Sequence, residues 1–206
     1  MPNWVFNKVR FYGEKEEIKE LKDFVKGEEF EFDFNKILPM PEELNLTAGS
    51  EETIARSCAV ARNLGKTTSE EFEKDWARSK TFDEWADLGD KYLSNLKKYK
   101  ASTWYDWCWD NWGTKWNACD AFWSGDNFVS FNTAWNEPTP IFYKLSELFP
   151  KVTFMVEFAN EDIGNDCGVI EYDGESFYVD HINSLEFACD VWGYDPEEFE
   201  EEECYE

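Results

Sequence analysis

The stretch that decides the fold occupies residues 104–135 and reads WYDWCWDNWGTKWNACDAFWSGDNFVSFNTAW. It holds seven of the protein's eleven tryptophans within 32 residues. Each indole hides a large apolar area when it is buried, and this many together must either build a core or form a surface for a partner. The stretch ends in residues 127–133, whose alternation of apolar and polar side chains predicts a strand.

The chain before this stretch predicts a strand, a helix and a second strand. Residues 3–12 alternate and end at Gly13, which predicts a strand followed by a turn. Residues 14–26 carry apolar side chains at helical spacing, with acidic residues early and Gly27 as the stop. Residues 30–38 alternate again, with three phenylalanines on one face, before two prolines end the run. We therefore expect the last of these segments to be a strand.

The chain after the stretch continues with a helix at residues 138–149 and strands at 152–158, 168–172 and 176–181. Asp173-Gly174 is typical of a hairpin turn between the last two strands. A short capped helix is predicted at residues 184–192. This order indicates an α+β fold, an antiparallel sheet with helices on one face, of the ferredoxin-like class.

Residues 42–103 differ in character because they are polar and helical, and they predict a helical insertion. A helix is expected from residue 50 to residue 64, before Gly65. Thr68 with Glu71, and Thr81 with Glu84, are capping-box patterns that each predict a helix start. We divide the chain into an N-terminal part (1–41), the insertion (42–103), a ferredoxin-like part (104–194) and an acidic tail (195–206), within one compact unit that has a loosely held end.

The charge is strongly asymmetric along the chain. The protein has 20 basic and 45 acidic residues, for a net charge of -25, and no Lys or Arg follows Lys151. The last 55 residues carry 18 of the acidic side chains. Such a surface repels nucleic acid and anionic membranes and attracts basic proteins. A solubilising role for the acidic side chains explains the same composition and stays open.

No signature of catalysis or of a cofactor appears. The six cysteines form no CxxC pair and the only histidine is His181, which argues against a structural metal site. Glycine-rich phosphate loops, GxSxG and HExxH motifs are absent. No run of 18 apolar residues and no signal-peptide pattern is present, and we expect a cytoplasmic protein with reduced thiols and no cofactor.

Four short strings resemble one family of proteins. They are Met1-Pro2-Asn3-Trp4, residues 35–44 (NKILPMPEEL), residues 111–118 (NWGTKWNA) and Thr133-Ala134-Trp135, which is followed by Pro138 and Pro140. Together they resemble the YubB-type proteins of bacterial plasmids and phages, which have a ferredoxin-like C-terminal domain. The resemblance implies a setting in mobile genetic elements rather than a reaction.

The leading functional hypothesis is a non-enzymatic accessory protein of a phage or plasmid, an acidic, anti-CRISPR-like inhibitor of a host defence system. Its partner would be a basic host protein with a nucleic-acid-binding surface, and neither nucleic acid nor membrane would be bound directly. Acidic residues supply the electrostatics and aromatic residues anchor the contact. The predicted partner-binding residues are Glu157, Glu161, Asp162, Asp166, Glu171, Asp173, Glu175, Asp190, Trp192, Tyr194, Asp195, Glu197, Glu198 and Phe199.

Two alternatives remain open on the sequence. The first is a small-ligand or nucleotide-binding module with a pocket at the tryptophan cluster, formed by Trp112, Lys115, Trp116 and Trp135. In the competing structural interpretation, Asn111 and Gly113 form a turn and Lys115 lies over a neighbouring ring. The second alternative is a hydrolase that works through carboxylates, which needs two carboxyl groups with shifted pKa values in a cleft.

Overall fold

A computed structural model describes residues 3–173 and 176–200, without the side chains of Asp75, Trp76 and Glu200. Among the described residues, two compact units form, and each contains its own packed elements. The first unit is drawn from Met1–Pro39 and Asn111–Glu206, and the second is Met40–Asp110.

The first unit is built on a six-stranded antiparallel sheet. Its strands are β1 (Trp4–Tyr12), β2 (Cys119–Trp123), β3 (Phe128–Ala134), β4 (Thr153–Asn160), β5 (Cys167–Asp173) and β6 (Ser176–His181), in the spatial order β2-β3-β1-β4-β5-β6. The N-terminal strand β1 therefore lies in the middle, between β3 and β4. The order β2-β3-β1-β4 is that of a ferredoxin-like fold, and β5 and β6 extend it on one side. The α+β, ferredoxin-like prediction is confirmed.

One face of this sheet forms the core. Val5, Val9 and Phe11 of β1 point into it and are completely buried. Helices α1 (Lys15–Val25), α2 (Phe34–Ile37) and α6 (Thr139–Leu148) supply the other apolar side chains. Phe32 and Phe34 pack on Phe131, with ring centroids 5.0 and 6.0 Å apart. We call this side of the sheet the core face.

The opposite side, the outer face, carries Phe6, Lys8 and Arg10 of β1 and the residues in register with them on the neighbouring strands. Helix α7 (Leu185–Trp192) lies against one end of the outer face, where Trp192 stacks on Phe6 with ring centroids 5.3 Å apart. A short helix α8 (Glu197–Glu200) follows. The sequence placed helices on one face, and the structure adds this helix on the other face, where it covers the apolar side chains of Phe6, Ala159 and Cys167.

The second unit is a helical hairpin with short connections. It contains α3 (Ser50–Asn63), α4 (Phe82–Tyr99), most of α5 (Trp104–Trp112) and single 3-10 turns at Glu42–Leu44 and Asp75–Ser79. Helices α3 and α4 pack around Ile54, Trp85 and Tyr92, which are almost completely buried. The Thr81–Glu84 capping box is present in full, as the sequence predicts.

Two predicted elements are wrong. Residues 30–38 form no strand: the chain bends, and only Phe34–Ile37 is regular, as helix α2 with Asp33 as its N-cap. The alternating phenylalanines meet the core from a loop and a helix rather than from a sheet. The Thr68–Glu71 pattern also starts no helix: residues 70–73 form turns, and it is Ser69 whose hydroxyl accepts a hydrogen bond from the backbone N–H of Phe72.

Candidate partner-binding surface

Three of the predicted acidic residues share the outer face of the sheet with a fourth, Asp180, which the sequence analysis did not single out. Glu157 on β4, Glu171 and Asp173 on β5, and Asp180 on β6 lie on this face, because their register partners alternate with the core positions. Glu171, Asp173 and Asp180 are exposed, and Glu157 is half-buried. We call these four residues the acidic face. Adjacent strands lie roughly 5 Å apart, and residues two apart on a strand roughly 6 to 7 Å apart, which makes the acidic face a compact array.

The acidic face lies beside Lys8 and Arg10 of β1 but forms no ion pair with either among the described residues. None of its four residues forms a salt bridge in the described part of the chain; Asp173 accepts a hydrogen bond from the hydroxyl of Thr153 at 3.2 Å. Lys8 is the register partner of Glu157, but its ammonium group donates instead to the backbone carbonyl of Asp190 at 2.9 Å. The ammonium group of Lys8 is therefore used to hold α7 and forms no ion pair with Glu157.

Three further predicted residues, Glu161, Asp162 and Asp166, are exposed in the loop that joins β4 to β5. The backbone N–H of Asp162 donates to Asn160 Oδ1 at 3.0 Å, and Asn165 donates to the carboxylate of Asp162 at 3.2 Å. Asp166 has a positive φ of 46°. These bonds hold the loop in a defined conformation at the end of the sheet that α7 covers.

The predicted residues that follow β6 divide into two groups. Asp190, Asp195, Glu197 and Glu198 are exposed, as a binding role requires. Trp192 was expected to be an exposed anchor, but it is half-buried and its indole N–H donates to the carbonyls of Ala159 and Asn160 at 3.1 and 3.2 Å. Its role is to attach α7 to the sheet. Glu175 lies outside the described residues, as do residues 201–206 of the acidic tail.

Tyr194 is the aromatic side chain of this set that is most available to a partner. It is 46% exposed and stacks on Trp192 with an interplanar angle of 7°. The ring of Phe199 lies 5.8 Å from that of Tyr194 and is half-buried. A rigid, half-covered aromatic next to carboxylates has the composition of an interface anchor, because little side-chain entropy is lost on binding.

The residues of the predicted tryptophan pocket are used in packing. Trp112 is 4% exposed, and its indole N–H donates to the carbonyl of Leu38 at 2.9 Å. Trp116 packs on Trp4 with ring centroids 5.8 Å apart, and the Lys115 ammonium lies 4.5 Å from the centre of the Trp116 ring. Trp135 is 38% exposed. The predicted turn is present, since Gly113 has a φ of 76°. This packing gives the small-ligand hypothesis no support among the described residues.

One carboxyl group with a shifted pKa was missed by the sequence. Glu137, just before α6, has its pKa raised because burial disfavours the charged form, and the charge of Asp166 adds to this; the Thr139 hydroxyl donates to it at 2.9 Å and nearby His181 opposes the shift. Glu137 lies between Asn136 and Pro138 in the sequence, and no spacing singles it out. Its burial depends on how α6 packs, which is a tertiary property.

His181, the only histidine, lies at the end of β6, is exposed and meets the ring of Phe158 edge-on at 6.1 Å. Within residues 3–173 and 176–200, no group of three or more His, Cys, Asp and Glu side chains is placed to hold a metal ion. None of the helices in these residues is long and apolar enough to span a bilayer.

Comparison with known proteins agrees with the fold of the C-terminal part. Residues 111–205 match a family model described as the ferredoxin-like domain in Api92-like protein. After this similarity, we call residues 111–205 the Api92-like segment. It contains β2 to β6 together with α6 to α8 and lacks β1, which the chain supplies from its N-terminus. The YubB-type assignment of the four short strings is narrower than this match and stays a prediction.

A solved structure is also similar to the chain as a whole. The crystal structure of protein api92 from Yersinia pseudotuberculosis is similar with a TM-score of 0.47 at 10% sequence identity, covering 88% of this chain and 99% of that one. No curated protein matches the chain.

Proposed function

We propose that this protein is a non-enzymatic binding protein that covers a basic, nucleic-acid-binding surface of another protein. The observation that carries the proposal is the acidic face: Glu157, Glu171, Asp173 and Asp180 on adjacent strands of a rigid sheet, without salt bridges in the described residues. Proteins that bind DNA present Lys and Arg at the spacing of phosphates. Nearest carboxylate-bearing positions on this sheet lie roughly 6 to 10 Å apart, along one strand, diagonally or across two strands, and offer those side chains a competing set of charges.

The rigidity of the array distinguishes this proposal from a solubilising role. A flexible acidic tail keeps a protein soluble as well as a fixed array does, but it loses conformational entropy when it binds. The backbone of the acidic face has already lost this entropy on folding, because each of its residues lies on a strand paired in regular register. The loop acids Glu161 and Asp162 and the helix residue Asp190 extend the same negative surface toward Tyr194, which supplies an aromatic contact.

The target class follows from the resemblance of the short strings to plasmid and phage proteins. In that setting the basic partner is a nucleic-acid-binding effector of a host defence system, such as a CRISPR nuclease. The protein would act by occupying the channel for nucleic acid, and it needs no catalytic group for this. Binding of this kind weakens as salt rises, because the Debye length falls from roughly 10 Å at 0.1 M to roughly 3 Å at 1 M.

The test is a phage-plating assay in strains that each carry one active CRISPR effector matched to the phage. Expression of the protein should restore plaques in at least one strain. The triple variant Glu157→Gln, Glu171→Gln and Asp180→Asn should lose this effect. The matched control is Glu28→Gln, Glu29→Gln and Glu70→Gln, which removes three exposed charges elsewhere and should keep it.

The biochemical counterpart uses the purified effector from the responsive strain and its DNA. The protein should displace the DNA in a mobility-shift assay, less effectively as salt rises. An equal loss of activity in the triple variant and its control would mean that net charge, rather than the acidic face, is responsible. Full activity of both variants would rule out the acidic face. Failure to restore plaques in every strain, with the protein expressed and folded, would remove the proposed target class.

A further inference from the structure

The sheet of the first unit ends at β6, and the two edges of the sheet differ. At the other edge, β2 is short and its pairing with β3 shifts register between Cys119 and Phe122, with a positive φ of 54° at Asp120. Such a bulge protects an edge from pairing with another strand. By contrast, β6 pairs with β5 in six consecutive register positions without a shift. Among the described residues, β6 is the regular, unprotected edge.

The direction of the β6 backbone groups follows from one hydrogen bond. The N–H of Ile182 donates to the carbonyl of Cys167 at 3.0 Å, and continuing the register makes these two residues a hydrogen-bonded pair. In an antiparallel ladder such pairs alternate. Tyr178 and Asp180 therefore direct their backbone groups to β5. Phe177, Val179 and His181 direct theirs away from the sheet, where no described strand lies.

The side chains on this edge are unusual for a strand that faces solvent. Phe177 is 53% exposed and Tyr178 is 64% exposed, and the strand contains neither Lys nor Pro, the residues that commonly guard edges. Phe177 lies on the core face with its ring edge-on to Tyr143, which is 44% exposed. Tyr178 lies on the outer face beside Glu171, and Asp180 lies next to it on the same face.

We infer that β6 binds an extended segment of a partner as a seventh strand, and that this segment alternates basic with apolar residues. Residues opposite Tyr178 and Asp180 meet the acidic face, where Asp180 lies directly across and a long Lys or Arg side chain passes over the Tyr178 ring toward Glu171. Residues opposite Phe177 and Val179 meet an apolar border formed with Tyr143. Backbone hydrogen bonds supply affinity, and the alternation supplies selectivity.

Charge decides between this occupant and a second copy of the chain. Two β6 strands side by side would bring the Asp180 carboxylates of the two copies near each other, each with Glu171 one strand behind it, in a protein of net charge -25. Like charges across a strand pair are destabilising. A basic segment meets the same carboxylates with attraction. The inference rests on the proposed function, which it deepens by naming the shape and pattern of the partner's contact.

The experiment uses the full protein and three synthetic heptapeptides. The first alternates valine with lysine and arginine, the second has the same composition with the valines consecutive, and the third alternates valine with glutamate. Amide hydrogen exchange by NMR should slow at Phe177, Val179 and His181 with the first peptide alone, by about tenfold or more when the site is saturated. Binding measured by fluorescence anisotropy should weaken for Asp180→Asn.

Two variants separate edge pairing from general charge attraction. Val179→Pro removes an outward N–H and none of the bonds to β5, and should abolish binding of the first peptide. Continued exchange protection of Tyr178 and Asp180 would show that β6 still pairs with β5. Val179→Lys keeps every backbone group and should also weaken binding, because it places a charge against the apolar positions of the partner.

Three outcomes would overturn the inference. In the first, the alternating and the consecutive-valine peptides bind equally without protecting the three amides. In the second, Val179→Pro and Val179→Lys both retain binding. In the third, the protein alone dimerises with those amides protected, which would make β6 a self-interface. The proposed function is tested separately and can stand when the inference fails. If the triple variant loses DNA displacement while Val179→Pro retains it, the acidic face acts without edge pairing.

Discussion

The ring of Phe6, in the central strand β1, stacks on the indole of Trp192, the last residue of α7, with centroids 5.3 Å apart and an interplanar angle of 28°. The same indole donates to two carbonyls of β4. The Trp192 side chain thus joins α7 to two strands of the sheet, β1 and β4. The position of the acidic residues that follow it depends on this contact.

Trp192→Ala should therefore destabilise the protein by about 3 kcal/mol, since a large aromatic and two hydrogen bonds are lost. Trp192→Phe keeps a ring against Phe6 and should cost less than Trp192→Ala. Its expected cost is about 1 kcal/mol for each hydrogen bond that the indole N–H made. Urea unfolding followed by circular dichroism measures both. Nearly equal losses for the two variants would mean that the hydrogen bonds, rather than the stacking, attach α7.

Gly113→Ala should destabilise the protein by more than the same change at Gly125. Both glycines have a positive φ, 76° and 74°. A Cβ at Gly113 would lie 2.7 Å from Cδ of Pro140, while a Cβ at Gly125 meets nothing within 4 Å. We expect roughly 1 kcal/mol at Gly125 from backbone strain alone and roughly 2 to 4 kcal/mol at Gly113. Thermal unfolding of the two variants compares them directly, and equal costs would contradict the close approach of the turn to α6.

Gly89→Ala tests whether packing outweighs helix propensity in α4. In an isolated helix this change stabilises by about 1 kcal/mol. Here a Cβ would collide with the backbone carbonyl of Ala55 on α3. We expect a net loss of about 1 to 3 kcal/mol, because the helices must separate. Ser94→Ala at an exposed position of the same helix is the control for propensity, and it should be neutral or slightly stabilising. A gain at both positions would show that the hairpin is looser than the structure has it.

Glu137→Gln should change the pH dependence of stability. Burial raises the pKa of Glu137 above 4.5, so the folded state binds the proton more tightly than the unfolded state does. The stability from this group is complete below pH 4.5 and is lost as pH rises through the folded pKa.

Glutamine removes the ionisation but can still accept from Thr139. The variant should therefore gain relative to the wild type between acidic and neutral pH, and this gain should vanish near pH 4, roughly the unfolded pKa of a glutamate. Unfolding free energies measured from about pH 4 to 8 test this, with Glu29→Gln as the control for loss of one charge. A constant difference across the range would show that Glu137 is not buried. The charges of Asp166 and His181 also act on the Glu137 carboxyl group, so the comparison with the control is required.

Residues 111–206 alone should not fold, although they contain the Api92-like segment. Without β1, strands β3 and β4 lose the strand between them, because β1 pairs with both. The fragment should show no cooperative unfolding, and a peptide of residues 3–13 should restore it when added. Folding of the fragment by itself would mean that β3 and β4 can pair directly.

The sequence determined the elements whose local pattern and tertiary role agree. The alternation in residues 3–12 produced β1, and the Thr81–Glu84 capping box begins α4, because hydrophobic period and capping chemistry are local properties. The concentration of negative charge after Lys151 also follows directly from the sequence.

Tertiary structure decided the rest. Phe32 and Phe34 alternate as in a strand, but they contact Phe131 from a bend and a helix. The free energy gained on burial depends on the apolar area removed from water and not on the backbone conformation that places the rings. The raised pKa of Glu137, the attachment of Trp192 and the outward direction of the backbone at Val179 each depend on neighbours distant in the chain. Periodicity shows which side chains share a face, and only the assembled sheet shows which face remains uncovered and which strand ends it.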